Sequence, residues 1–312
     1  MTTVMCLPLV TSVVLWLAGA PLGRWLPPAT AVRLLTTAAL VTALATGFVL
    51  AVAAFDAAAQ LRPVAALGHW SALAVRTGGG MSAIIGVLAG LTVSVLFGAG
   101  LRRMARCGWD LALAAQTCRR LGPGVAGLVV VDDQHADAYA VPGIRGRVVV
   151  STAMLRALPA PERRVLLAHE NAHLAHRHHL YVQLADLAAA ANPLLRPLAT
   201  AVSIGVERWA DEIAATEVGD RHLAARALAR AGLARTAAAP RRAPTTAIAL
   251  GAVNRGVGDR VRALLAGPPR RRRGLAGALT ALVLVTVSAA AQTAYNTEHR
   301  FEQAQAAYLV TR

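Results

Sequence analysis

The 312 residues are 56% hydrophobic and only 15% charged, with a mean hydropathy of +0.50, and this composition excludes an ordinary soluble protein. The net charge is +16 and every basic residue is Arg. Because these arginines gather beside apolar segments, we expect them to orient membrane helices and not to bind nucleic acid directly. The three cysteines have no regular spacing, which argues against a disulfide framework and against a cysteine metal site.

Four segments are apolar and long enough to cross a bilayer, which takes about 20 residues. They are approximately Val4–Ala20, Val32–Ala54, Met81–Leu101 and Leu275–Ala294. The first segment has no positive charge before Arg24, so we predict a retained helix and not a cleaved signal peptide. The second and third segments hold almost no ionisable residues, which argues against a zinc transporter.

The basic clusters predict which side of the membrane each loop occupies. Arginines at 24 and 33 flank the first loop, those at 102, 103 and 106 follow the third span, and 270–273 precede the fourth. Cytoplasmic loops are enriched in Lys and Arg. The sequence therefore predicts a multi-pass cell-membrane protein with residues 102–273 in the cytoplasm and both termini outside the cell.

The segment between the third and fourth spans begins with short β-branched runs. Leu128–Val131 and Arg147–Val150 are predicted strands, and Ala138–Val141 between them is a predicted edge strand. Together they indicate a small sheet.

Helices are predicted after the sheet. Ser151 is expected to cap a short helix through Leu158, and a second helix opens at Pro161 and runs to about His179. The apolar stretch 180–206 is broken by Asn192-Pro193, which favours a bent helical hairpin over a fifth span. Further helices are predicted at about 207–234, with Gly219 as a possible interruption, and at 260–265, with a flexible linker at 236–257 between them.

The second of these helices carries the pattern His169-Glu170-Asn171-Ala172-His173. Residues four apart lie on one helical face, so His169 and His173 can bind one zinc ion. Glu170 can then act as the general base on a metal-bound water. The sequence predicts metal-assisted hydrolysis of an amide bond.

A catalytic zinc site needs a third protein ligand, and Glu207 is the best candidate. It shares a helical face with Asp211, which we expect to orient a ligand histidine without touching the metal. The alternative for Glu207 is an exposed helix charge paired with a nearby arginine.

Several other histidines lie close to the motif. His176 is expected to support the ligands, and His178 and His179 are expected in a supporting or surface position. His222 or Tyr139 is a candidate oxyanion stabiliser, and the sequence does not decide between them. The edge strand at Tyr139, Ala140 and Val141 is predicted to bind the substrate backbone by β-augmentation.

These motifs together resemble a known family. The order Ala-Tyr-Ala-Val-Pro-Gly, H-E-x-x-H, Asn192-Pro193 and Glu207-x-x-Ala-Asp211 is similar to that of the BlaR/MecR-type integral-membrane zinc metallopeptidases, which are gluzincins and close kin of the HtpX-type membrane peptidases. The resemblance covers roughly residues 1–294. It implies one zinc ion held by His169, His173 and Glu207, with Glu170 as the base and Asp211 as the supporting carboxylate.

The resemblance also implies a fold and a substrate class. The fold is a mainly α membrane protein with about four transmembrane helices and a cytoplasmic α+β gluzincin-like domain that contains a small sheet. Relatives of the BlaR/MecR type cleave, directly or indirectly, a winged-helix transcriptional repressor, so a protein substrate of that kind is implied. The extracellular penicillin-binding domain of those receptors has no counterpart here, which argues against β-lactam sensing.

The expected organisation has five parts. Residues 1–106 form a three-span region, 107–235 the peptidase domain, 236–273 a linker with a basic juxtamembrane end, 274–294 the last span and 295–312 a short outer tail. Two other functions stay open: an HtpX-like protease for membrane-protein quality control, and a non-catalytic membrane receptor with a structural zinc. A general base beside the first ligand favours an enzyme.

Overall fold

The computed structural model describes residues 2–122, 124–143, 146–237, 256–267 and 272–310. Most of the predicted linker therefore lies outside the described residues. The described part is mostly helical with a small three-stranded sheet. Its elements in chain order are α1 (Thr2–Trp25), α2 (Pro28–Ala58), α3 (Arg62–Gly68), α4 (Ala72–Thr77), α5 (Ala83–Leu121), β1 (Leu128–Val131), β2 (Ala138–Val141), β3 (Arg147–Ser151), α6 (Thr152–Ala157), α7 (Ala160–Ala175), α8 (His178–Ala191), a 3₁₀ turn (Pro193–Leu195), α9 (Arg196–Val218), α10 (Arg221–Ala237), α11 (Val257–Leu265) and α12 (Arg273–Val310).

Four of these helices, α1, α2, α5 and α12, are long and apolar enough to cross a membrane. They coincide with the four segments that hydropathy selects. Two of them extend further than predicted. Helix α5 continues to Leu121, so the expected domain boundary at 106–107 falls inside it. Helix α12 continues to Val310, and most of the expected outer tail is therefore helical.

The helical hairpin of α8 and α9 packs into the bundle of long helices. Its bend is at Asn192, whose side-chain amide donates to Ser12 Oγ at 2.8 Å and whose side-chain oxygen accepts from the Leu194 N–H at 3.2 Å. Ser12 lies thirteen residues before the end of α1 at Trp25, so the bend contacts α1 roughly 20 Å from that end of the helix. The bend predicted at Asn192-Pro193 is present, but the hairpin, expected against the bilayer or the domain, packs among the long helices.

The end of the bundle that is far from the sheet is closed by a buried ion pair. Arg300 on α12 donates to Asp56 on α2 at 2.6 Å, and only 2% of the Asp56 side chain is exposed. The ring of Trp70 packs edge-on against Phe301 with their centroids 5.1 Å apart. The segment that contains α3 and α4 is thereby fixed to the last helix.

The sheet has the order β1-β3-β2, with β1 parallel and β2 antiparallel to β3. Strand β2 is at an edge, as its sequence predicts. The buried residues Val149 and Val141 pack against Ala114 of α5, which ties the sheet to the third long helix. Ser151 ends β3 and caps α6 by accepting from the Met154 N–H at 3.1 Å.

Helix α7 ends earlier than the sequence predicts. It was expected to run to about His179, but Arg177 adopts a left-handed conformation with φ of 50°. The Arg177 N–H closes the turn on the Leu174 carbonyl at 3.1 Å, and α8 starts at His178. This break turns the chain back, so His178 faces α7 and is fully buried.

Candidate metal centre

Two helices bring together a group of side chains that could hold a metal ion, here called the metal-binding group. His169 and His173 lie one turn apart on α7, and Glu207 comes from α9, which packs against it. The two His Nε2 atoms are 3.2 Å apart, and they lie 3.7 and 3.6 Å from the Glu207 carboxylate oxygens. Ligands of a tetrahedral zinc ion at about 2.1 Å are separated by about 3.4 Å, so these spacings fit a zinc ion. The Oε1 atom of Glu207 is buried and has no hydrogen-bond partner among the described residues.

The neighbours of the two histidines fix which ring nitrogen faces the centre. The Nδ1 atom of His169 lies 3.1 Å from Asp211 Oδ1, so it donates its proton to that carboxylate. The Nδ1 atom of His173 lies 3.1 Å from His178 Nδ1, so one of these two nitrogens carries a proton and donates it to the other. With His173 as the donor, both Nε2 atoms are left to bind a metal.

A largely buried arginine from α11 contacts the two carboxylates. Arg260 donates two hydrogen bonds of 2.7 Å to Asp211 and lies 2.9 Å from Glu207 Oε2. Its charge therefore meets one face of the Glu207 carboxylate, and the unpartnered Oε1 faces the histidines. Helix α11 is thereby joined to the metal-binding side chains.

The electrostatics of the cluster follow from burial and from these pairings. Burial alone would lower the pKa of His169, but the hydrogen bonds that its ring donates to the Asp211 and Glu207 carboxylates raise it to about 9. Burial alone would raise the pKa of Glu207, but its hydrogen bond with His169 and the charge of Arg260 lower it to about 2. The Asp211 and Glu207 carboxylates thus favour a positive charge beside them. Either a protonated His169 ring or a divalent cation supplies that charge.

The remaining histidines of the cluster stay neutral. Burial lowers the pKa of His173 to about 4, and the charge of His169 lowers it further in the same direction. Burial and the neighbouring His173 ring lower the pKa of His178 to about 3. Neutral imidazole is the form that binds a metal or accepts a hydrogen bond.

Glu170 lies in the pocket beside the metal-binding group. The pocket is lined by the two histidines, Glu207 and Asp211 on one side and by small or apolar side chains of α7, α9, α10 and α11 on the other. Burial raises the pKa of Glu170 to about 7. A carboxylate with this pKa can both accept and return a proton near neutral pH.

The predicted substrate-binding strand reaches the pocket in part. Tyr139 and Ala140 line it, but Val141 does not, because Val141 packs against Ala114 on α5. Of the two candidate oxyanion stabilisers, Tyr139 is at the pocket, whereas His222 is exposed at the start of α10 and does not line it.

His176, which the sequence predicted to support the metal ligands, contacts neither His169 nor His173 through a described hydrogen bond. Its ring packs on Trp209, 4.9 Å between centroids, and it is His178 that lies 3.1 Å from His173. The cause is the early end of α7, which no pattern in the sequence indicated.

Two arginines of the pocket, Arg235 and Arg260, are not apparent from the sequence. In a chain with 32 basic residues, a single arginine has no distinguishing context. The one available signal was the apolar spacing of Val257, Val261 and Leu264, which predicts that one face of α11 packs against the domain.

Residues 111–306 match the family model of Peptidase family M48. The matched region contains the H-E-x-x-H pattern, Glu207 and Asp211. No curated protein and no solved structure matches the chain.

Proposed function

This chain belongs to peptidase family M48, and from that premise we propose that it is a membrane-bound zinc endopeptidase that cleaves protein substrates on the cytoplasmic side of the membrane. The observation that carries this proposal is the convergence of two His Nε2 atoms on an unpartnered carboxylate oxygen of Glu207. Glu170 lies in the same pocket.

The residues around the centre divide the work of hydrolysis. His169, His173 and Glu207 would hold the metal, and two nitrogens with one carboxylate are a ligand set that zinc accepts. A zinc ion bound there would supply Lewis acidity. A carboxylate oxygen of Glu170 would take a proton from the attacking water molecule and later deliver it to the leaving amine. Asp211 and His178 keep the ligand rings in the correct tautomer.

The membrane topology is part of the proposal. Arg272 lies over the ring of Trp25, 5.9 Å from its centroid, so the end of α1 and the start of α12 are neighbours. Arg103 on α5 pairs with Asp186 on α8 at 2.9 Å. These contacts support a common side for the basic clusters and the peptidase domain, and the excess of arginine there favours the cytoplasm.

The substrate is a narrower prediction. Cleavage of a winged-helix repressor, as in BlaR/MecR-type relatives, stays a prediction, and so do quality control of membrane proteins and a receptor role with a structural zinc. The position of Glu170 in the pocket beside the metal-binding group favours catalysis over the receptor, since a structural zinc site has no use for a proton acceptor beside its first ligand.

The test compares the wild type with Glu170→Gln, both purified in detergent and loaded with zinc, on a peptide library. We expect the wild type to cleave and a chelator to stop it. Glu170→Gln should keep one zinc per chain and slow cleavage by about 10²- to 10⁴-fold, the usual contribution of a general base. The exposed Glu298→Gln is the matched control and should behave as the wild type. Equal cleavage by Glu170→Gln would exclude Glu170 as the base.

A further inference from the structure

The edge of β2 that faces the pocket has a defined hydrogen-bonding register. The Asp137 carbonyl accepts from the Ser151 N–H at 2.9 Å, and Ala138 and Ala140 are directly opposite Val150 and Val148. In an antiparallel pair, residues alternate between those that bond to the partner strand and those that do not. The N–H and carbonyl groups of Ala138 and Ala140 are therefore turned away from β3, toward the outer edge.

One of these outward carbonyls is already occupied. Arg235 on α10 donates from Nη2 to the Ala138 carbonyl at 2.7 Å, and its Nε lies 3.3 Å from Asp137 Oδ1. Arg235 lines the same pocket as Glu170 and Ala140, and 27% of its side chain is exposed.

This contact changes what the edge can offer to a peptide. A free Ala138 carbonyl would accept from a substrate N–H, as in any added strand. The guanidinium covers that acceptor and presents N–H donors in its place, because it carries five donors and no acceptor. Ala140 lies two residues further along β2, and its own N–H and carbonyl are the groups that this position offers to a peptide.

We propose that Arg235 is a positioning and specificity residue that sets the register of an extended peptide on β2. The substrate residue opposite Ala138 accepts a hydrogen bond from the guanidinium through its carbonyl oxygen. The N–H of that residue has no acceptor on β2. The substrate class is thus an extended peptide in which this residue can lack an N–H, as proline does, whereas the residue opposite Ala140 cannot. The inference rests on the proposed peptidase function.

The experiment uses a peptide that the zinc-loaded wild type cleaves, chosen from the library, with each backbone nitrogen methylated in turn. For the wild type we expect one methylation near the scissile bond to abolish cleavage, which marks the residue opposite Ala140. Methylation two residues away, opposite Ala138, should change kcat/KM less than about 2-fold.

Arg235→Ala frees the Ala138 carbonyl, so the same methylation should then lower kcat/KM by about 3- to 10-fold, the worth of one hydrogen bond. On the unmethylated peptide, Arg235→Ala should raise KM by roughly 10-fold, since a bond to a charged donor is lost. Arg235→Lys keeps a donor, so its KM and its response to methylation should lie between those of the wild type and those of Arg235→Ala. The exposed Arg226→Ala on the same helix is the matched control.

Zinc content is measured for every variant, so a folding defect is recognised by loss of the metal. In that case Arg235→Lys with full zinc content decides: an unchanged methylation profile and KM would overturn the inference. A zinc-loaded wild type that cleaves no peptide would instead remove the proposed function, and the inference with it.

Discussion

Asp211 determines which nitrogen of His169 is available, because its carboxylate accepts the Nδ1 proton. Replacing it with Asn keeps the shape of the side chain but offers an amide that can also act as a donor. We expect Asp211→Asn to lower zinc affinity by about 10- to 100-fold, the usual effect of losing such a partner. Competition with a fluorescent zinc chelator measures this change.

The control for this prediction is Glu217→Gln, which removes an exposed carboxylate from the same helix α9. Its zinc affinity should match the wild type. If Asp211→Asn bound zinc as tightly as the wild type, the prediction would be wrong. Asp211 would then serve mainly as the partner of Arg260, which also contacts it.

At this scale, the sequence predicted the side chains of the H-E-x-x-H pattern and the carboxylates on the second helix, since fixed helical spacing puts them on known faces. It did not predict Arg260, Arg235 or the contact of His178 with His173. Those contacts depend on how α10, α11 and α8 pack, and local spacing contains no information on packing between distant segments.

The junction of α7 and α8 depends on the left-handed conformation of Arg177. Glycine adopts this conformation without strain, whereas a β-branched residue is strongly disfavoured there. We expect Arg177→Gly to fold and bind zinc as the wild type does. Arg177→Val should lower the stability by about 1–2 kcal/mol or more.

Thermal unfolding in detergent, followed by tryptophan fluorescence, compares the two variants. Zinc content reports on the site, because His178 reaches His173 only through this turn. If Arg177→Val and Arg177→Gly had the same melting temperature, the turn would not depend on the left-handed backbone conformation at this position.

Among the elements, the four long helices, the three strands and the capped helix α6 agree with the patterns that predict them. Hydropathy over 20 residues and β-branched runs are strong signals. Helix ends were less predictable: α7 ends early at Ala175, and α5 and α12 continue into polar residues. A helix can continue without an apolar face when its neighbours support it, and such support is a tertiary property.

The bundle and the metal centre share helix α9, whose first turns follow the Asn192 bend and whose middle carries Glu207. Asn192 bonds to Ser12 and to the backbone of Leu194, and it is buried. We expect Asn192→Ala to destabilise the whole protein by about 1–2 kcal/mol, because buried polar groups lose their partner.

The melting temperature in detergent checks this value, and Ser203→Ala, an exposed change on α9, is the control. A common melting transition for the bundle and for zinc release would indicate a single cooperative unit. Unfolding of the peptidase domain alone, with the same midpoint in both variants, would contradict the prediction.

Asp56 and Arg300, the pair that closes the far end of the bundle, are separated by 244 residues of chain. At translation rates of about 5–20 residues per second, the acid waits roughly 10–50 s for its counterion. During biogenesis the nascent protein therefore carries an unneutralised carboxylate next to apolar helices until the final helix emerges. A chain that ends before Arg300 would leave the Asp56 carboxylate without this arginine.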